Sequence, residues 1–202
     1  MVKGSVETRR ELILTATANL IRRDGVAALT TKRVAAEAGC AEGTIFRHFG
    51  DKGGLIAAVL SFGLPEIDHL AQVASRKPPG DLIVDLTDLC TAALDFYRAS
   101  YPIAASALTD ATIFQRYRDA HNARDTGPRQ IWELIHSYLR TAAEHGTINT
   151  ALDLEAEALA IAGACQNAVW VALVNGDQAL PHQGRDIAGH IARSSLGALQ
   201  HA

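Results

Sequence analysis

Hydroxyl, glycine and cationic residues crowd into two short stretches near the N-terminus of this 202-residue chain. Thr31, Lys32 and Arg33 open one stretch; Gly43, Thr44, Arg47 and His48 form the second. Positive charge and unpaired backbone amides at a helix start suit a phosphate. A guanidinium such as that of Arg47 reads guanine through two parallel bonds or holds a phosphate. Gly43 permits close approach of its backbone, and Arg9 and Arg10 stand where they would reach flanking backbone. Bond-making chemistry has no such footing: HExxH, CxxC, P-loop and nucleophile-elbow patterns are all missing. Cys40, Cys90 and Cys165 are far apart in sequence and no Cys/His cluster has metal-ligand spacing. The expectation is a protein that is not an enzyme, with no cofactor or metal and with buried, reduced thiols; Cys40 is the candidate for redox chemistry.

Charge agrees with binding at one end only. Residues 1–53 carry nine Lys+Arg against six Asp+Glu, a net +3, whereas residues 54–202 carry ten against sixteen, a net −6. A basic front on an acidic body suits contact with nucleic acid through the front. Hydrophobic residues make up 48% and charged residues 20% of the chain, an ordinary balance for a globular protein. The first residues lack an apolar signal core. The apolar run from Ala156 to Leu173 is interrupted by Glu157 and Gln166 and is rich in Ala and Gly, so a cytoplasmic protein without a membrane partner is expected.

Helices must position these groups. Arg9–Arg23 places Ile13, Ala16, Thr17, Leu20 and Ile21 on one face, and Gly25 stops it. Thr30 is a plausible N-cap for a helix to about Ala38 with Val34 and Ala35 inward, ended by Gly39. A third helix follows over Glu42–Phe49 with Ile45, Phe46 and Phe49 inward, and Asp51 caps a fourth. Two short helices joined by a tight glycine turn make a helix-turn-helix, whose first helix buttresses a second that can project into a major groove. Beyond it, the segment Gly63–Gly80 contains Pro65 and is given no helix, and Lys77-Pro78-Pro79-Gly80 marks a firm break. Helices are expected over Asp81–Ser100, Ile103–Leu108 (restarted at Tyr101-Pro102), from about Ala111, over Arg129–His145, over Asp153–Val174 and over Gly184–Leu199, with a turn at Gly127-Pro128. Strand patterns do not occur.

The run from Arg10 to Leu55 resembles the N-terminal region of the tetracycline-repressor (TetR) family of bacterial regulators. Arg10, Ile13-Leu14, Ala16, Gly25, Thr30-Thr31, Val34-Ala35, Ala38-Gly39-Cys40, Gly43-Thr44-Ile45-Phe46, His48-Phe49, Lys52 and Leu55 match its pattern in order. The resemblance implies an all-α fold: a three-helix helix-turn-helix headpiece over 1–54 and a helical regulatory and dimerisation domain over 55–202, about nine helices in all. It places Thr44 and His48 near DNA and makes Lys52 a phosphate contact. With the residues already named, the DNA-facing set becomes Arg9, Arg10, Thr30, Thr31, Lys32, Arg33, Glu42, Gly43, Thr44, Phe46, Arg47, His48 and Lys52. The sequence departs from the family at Ala41, where serine usually caps the recognition helix, and at Phe46, where tyrosine is usual. It also departs at Glu42 and at Gly53-Gly54. Glu42 either favours the helix N-terminus or accepts from a cytosine amine. The two glycines would soften the first turn of the next helix by roughly 1 kcal/mol each.

Two headpieces related by symmetry read a palindrome, so a homodimer on a double-stranded palindromic operator is expected. Small and apolar residues of the last two helices suit the seam: Ala164, Ala168, Val169, Ala172, Leu173, Ile187, Ile191 and Leu199. Phe96, Tyr97, Phe114, Tyr117, Trp132, Tyr138 and Trp170 are aromatic candidates for a largely apolar pocket, and the resemblance implies a small-molecule effector there. A repressor released by that effector is the resulting expectation. The alternative is a helical small-molecule-binding protein without specific DNA binding.

Overall fold

The structure is a computed structural model that describes residues 8–62, 64–77, 80–122, 128–149 and 151–201. Ten α-helices and no strand occur among these residues, so the chain is all-α, against about nine helices expected. The turn at Gly127-Pro128 and the Pro78-Pro79 pair fall wholly or partly outside the described residues. The helices gather into two compact units. One holds the described residues up to Pro65 together with those of 99–127; the other holds those of 66–98 and from 128 onward.

In the first unit α1 (Arg9–Asp24) starts on a capping box: Thr8 accepts from the Glu11 amide while the Glu11 carboxylate accepts from the Thr8 amide. It buries Ile13, Leu14, Ala16, Thr17, Leu20 and Ile21, and the Thr17 hydroxyl is satisfied by the Ile13 carbonyl at 2.7 Å. α2 (Thr31–Glu37) and α3 (Glu42–Phe49) lay Val34, Ala35 and Ile45 onto this face. α4 (Lys52–Phe62) adds Leu55, Ile56, Val59 and Leu60. The same unit takes in the end of α6 (Leu82–Leu108) and all of α7 (Ala111–Asn122), which packs along α4. A domain boundary between residues 54 and 55 therefore falls inside α4.

In the second unit are α5 (Pro65–Ala74), the first part of α6, α8 (Arg129–Glu144), α9 (Leu154–Asn175) and α10 (Ile187–His201). α8 buries Ile131, Ile135, Tyr138 and Leu139; α9 lies along it with Ala158, Ile161, Ala162 and Cys165 inward. Two 3-10 turns, Asp177–Ala179 and Pro181–Gly184, lead into α10, which is shorter at its start than Gly184 would make it. α9 is long and apolar enough to span a membrane, with a mean hydropathy of 1.5 over its most apolar stretch, but one side of it packs on α8 as the core helix of a bundle does.

Three expectations need correction. The segment given no helix holds α5, which starts at Pro65, whose fixed φ and missing N–H suit the first helical turn. Pro102 does not restart the chain: α6 runs 27 residues through it, because a proline removes one backbone bond without ending a helix whose neighbours hold it. Phe46 does not point inward. It is 48% exposed, since Ile45 and Phe49 already define the inner stripe and Phe46 lies a third of a turn away.

Candidate nucleic-acid interface

The turn between α2 and α3 is a complete Schellman closure. The Cys40 amide reaches the Ala35 carbonyl at 2.9 Å and the Gly39 amide reaches Ala36 at 3.3 Å. Gly39 sits at φ +61, a left-handed conformation that costs glycine nothing. Thr30 caps α2 through a bond from the Arg33 amide at 3.2 Å. Ala41, at the equivalent place before α3, offers no side-chain cap. The next residue, Glu42, leaves α3 uncapped, but its carboxylate accepts from the Thr31 hydroxyl at 2.5 Å and so ties the N-termini of the two helices together.

The thirteen candidate residues fall into two groups. Lys32 and Arg47 are exposed, with no ion pair or hydrogen bond drawn to them among the described residues; Gly43 and His48 are also exposed and Thr44 is half-buried. A Cβ on Gly43 would meet nothing within 4 Å, so its outer face is open. These groups stand on or beside α3. Phe46 is exposed as well. Of the others, most are engaged within the headpiece. Arg33 pairs with Asp24 and donates to the Ala28 carbonyl at 2.9 Å. Lys52 donates to the Val26 carbonyl at 3.2 Å. Arg9 makes long bonds of 3.4 Å to the carbonyls of Ala38 and Gly39. The Arg10 guanidinium lies 5.6 Å from the centre of the Phe49 ring.

Behind α3 the chain is braced by the expected Asp51 cap and by contacts from α7 that the sequence does not display. The Asp51 carboxylate caps α4 through the Gly54 amide at 2.8 Å and also accepts from the Arg116 guanidinium of α7. The Gly54 amide and then Arg116 hold the Asp51 carboxyl below its usual range. Gly53 and Gly54 lie in the crowded joint between α3, α4 and α7. A Cβ on Gly54 would stand 2.0 Å from the Phe49 carbonyl oxygen, and one on Gly53 would stand 3.0 Å from Ile113 of α7. At Gly54 the glycine read as a weakness is a steric requirement, whereas at Gly53 the nearest atom belongs to a side chain that can shift. Nothing in the spacing of residues 50–54 points to partners sixty or more residues away.

The aromatic candidates divide between the units. Phe114 and Tyr117 belong to α7 in the first, where burial pushes the Tyr117 phenol above its ordinary value. In the second, Phe96 and Tyr97 meet edge to face with ring centres 5.7 Å apart. Tyr138 is fully buried and donates to Asp85 at 2.7 Å, with Arg76 closing the group from the other side; burial and that bond push the phenol up. Trp132 lines a cavity of about 290 Å³ with Asp153, Glu155, Ala156 and Leu159, while Trp170 is 55% exposed. Cys90 and Cys165, far apart in sequence, are neighbours: the Cys165 thiol donates to the Cys90 carbonyl at 3.8 Å, and its interaction with Cys90 together with burial raises it well above the usual thiol range.

Of the residues expected in a dimer seam, Ala168, Val169, Ile187 and Leu199 are buried within the protomer. Ala164 and Leu173 are exposed, and Ala172 and Ile191 are half-buried. An open groove of about 430 Å³ runs between α9 and α10, floored by Ala160, Ala164, Ile187 and Ile191.

Fold and site together define a helix-turn-helix regulator: a short helix buttressed by another, punctuated by glycine, at the front of an all-helical chain. Residues 13–59 match the model of bacterial regulatory proteins of the tetR family. The chain is 32% identical over 145 residues to the uncharacterized HTH-type transcriptional regulator YvkB of Bacillus subtilis (strain 168), covering 71% of this chain and 72% of that one. Among solved structures it is similar to the fatty acid degradation regulator FadR from Bacillus halodurans, at 17% identity and a TM-score of 0.65, covering 98% of this chain and 100% of that one. It is similar also to the transcriptional regulator FadR from Bacillus subtilis in complex with stearoyl-CoA, at 17% identity and a TM-score of 0.59, covering 94% and 97%. This chain belongs to the tetR family of bacterial regulatory proteins, a family of regulators rather than enzymes.

Proposed function

We propose that the protein is a cytoplasmic, ligand-responsive repressor that binds a palindromic operator as a homodimer and is released by a small, largely apolar effector. The observation that carries this reading is α3, whose outer side presents Gly43, Arg47 and His48 while Ile45 alone is fully buried beneath it. Lys32 adds charge from α2. Phosphate contacts from such groups supply affinity and register, and groove contacts supply sequence preference. Dimerisation through α9 and α10 is supported by the groove between them and by exposed Trp170, Leu173 and Val174 on α9. The stearoyl-CoA held by one structural neighbour, through its long acyl chain, supports an effector with a large apolar part.

The proposed switch is a population shift. Free dimer holds its two headpieces at groove spacing; effector stabilises another arrangement, and DNA affinity falls by the coupling between the sites. A gel shift against DNA flanking the protein's own gene tests the reading. Specific binding that survives competitor DNA at moderate salt is expected, with release by an effector found in a thermal-shift screen. No specific complex at low salt sinks the operator reading, and a screen in which every bound compound leaves the complex intact sinks the inducer.

A further inference from the structure

The least ordinary feature of the α2–α3 pair is an acid at the tip of the recognition helix. Glu42 is the first residue of α3, and its carboxylate is exposed. One of its oxygens accepts the Thr31 hydroxyl at 2.5 Å. That bond does three things. It holds a flexible side chain in one geometry, it leaves the second carboxylate oxygen open, and it commits the hydroxyl proton of Thr31 so that Thr31 does not donate to a phosphate in this arrangement. Gly43 beside it and Ala41 before it add no bulk that would shield the group.

Resting on the repressor reading above, we infer that Glu42 is a specificity-determining residue that selects a cytosine at one position of each half-site, with Thr31 as its positioning residue. A carboxylate only accepts hydrogen bonds. Facing a phosphate it would be repelled, so it belongs over base edges. In the major groove only two groups donate, the N4 amine of cytosine and the N6 amine of adenine. Guanine O6 and N7 and thymine O4 are acceptors and repel it. Adenine sets its N7 lone pair beside N6, against the carboxylate; cytosine sets a C–H there. Cytosine is therefore the base that an already oriented carboxylate prefers.

The test is a binding selection on half-sites randomised within a fixed palindromic frame, using the full-length protein and its Glu42→Ala, Glu42→Gln and Thr31→Val variants. The wild type is expected to enrich cytosine at one position about five- to thirty-fold, the lower part of what a base contact contributes. Glu42→Ala should lose that preference alone and keep the others and the salt slope. Glu42→Gln should move the preference toward adenine, which glutamine reads bidentately. Thr31→Val should weaken the cytosine preference by a few-fold without abolishing it. Two results overturn the inference while leaving the repressor reading intact: Glu42→Ala retaining the cytosine preference, or Glu42→Ala binding all sequences more tightly with preferences unchanged, as simple relief of phosphate repulsion would give. A wild type that selects no sequence at all overturns both.

Discussion

Replacing Gly54 by alanine separates two views of the joint behind the recognition helix. Helix propensity alone says that alanine at either Gly53 or Gly54 gains up to about 1 kcal/mol. The local geometry says the two sites differ. A Cβ at Gly54 would sit 2.0 Å from the Phe49 carbonyl oxygen, which is backbone and can retreat only if the turn between α3 and α4 opens. Forcing atoms into a packed site costs about 1–3 kcal/mol, and a backbone clash belongs at the upper end. The net loss is then about 1–2 kcal/mol, or roughly 2–8 °C in Tm for a chain of this size. At Gly53 the nearest atom is Cγ1 of Ile113 at 3.0 Å, the end of a side chain that can shift. Gain and cost there nearly cancel, and Tm should move by less than about 2 °C. Thermal unfolding by circular dichroism at a single protein concentration, which fixes any effect of dimerisation, reads both variants. The steric account is refuted if G54A melts at or above the wild type, or if G53A is the more damaging of the two.

Three further outcomes follow from contacts described above. Asp51→Ala removes the cap of α4 and should cost about 0.5–2 kcal/mol. Because the folded pKa of Asp51 is depressed, its contribution is present above the unfolded carboxylate pKa and lost as pH falls through the folded one, so the variant and the wild type should differ steadily from pH 5 to 8 and converge in acid. Tyr138→Phe deletes the bond to a buried carboxylate and should destabilise by about 1.5–3 kcal/mol in urea titration; an unchanged midpoint would mean that Arg76 alone satisfies Asp85. With a thiol-specific disulfide reagent at neutral pH, only half-buried Cys40 should react in the native protein, and all three cysteines should react in denaturant; rapid native reaction of Cys90 or Cys165 would contradict their burial.

The front of the chain was the legible part, for a local reason. Between Gly25 and Gly50 each helix stop is a glycine and each inward stripe is set by residues three or four apart, so Thr30 as a cap and Glu42–Phe49 as a helix follow from neighbours alone. The Thr8 capping box was equally local and went unread. Proline misled twice because its effect depends on position: Pro65 at the start of a turn favours a helix, and Pro102 deep in α6 is tolerated by packing that sequence does not display. The hidden half of the candidate site is long-range. Arg116 against Asp51, Ile113 against Gly53, and Cys90 against Cys165 join residues whose separation carries no pattern. Arg33 and Lys52 read as free cations because their partners, Asp24, Ala28 and Val26, show only when the chain folds back.

The first compact unit is assembled from two separate stretches of chain, and this bears on how the protein is made and remade. A ribosome that has released residues 1–62 has delivered the helix-turn-helix and α4 but not α7, the helix that lies along α4 and supplies Ile113 and Arg116. Until some sixty more residues emerge, the apolar side of α4 waits for its cover. The same arithmetic governs chimaeras. A headpiece transplanted from a relative by cutting after residue 54 would replace Asp51, Gly53 and Gly54, so that Ile113 and Arg116 of α7 would face a joint they were not shaped for. Exchange of recognition specificity among such regulators should succeed when α7 travels with the headpiece, or when only the outer residues of α3 are changed and the joint behind them is left alone.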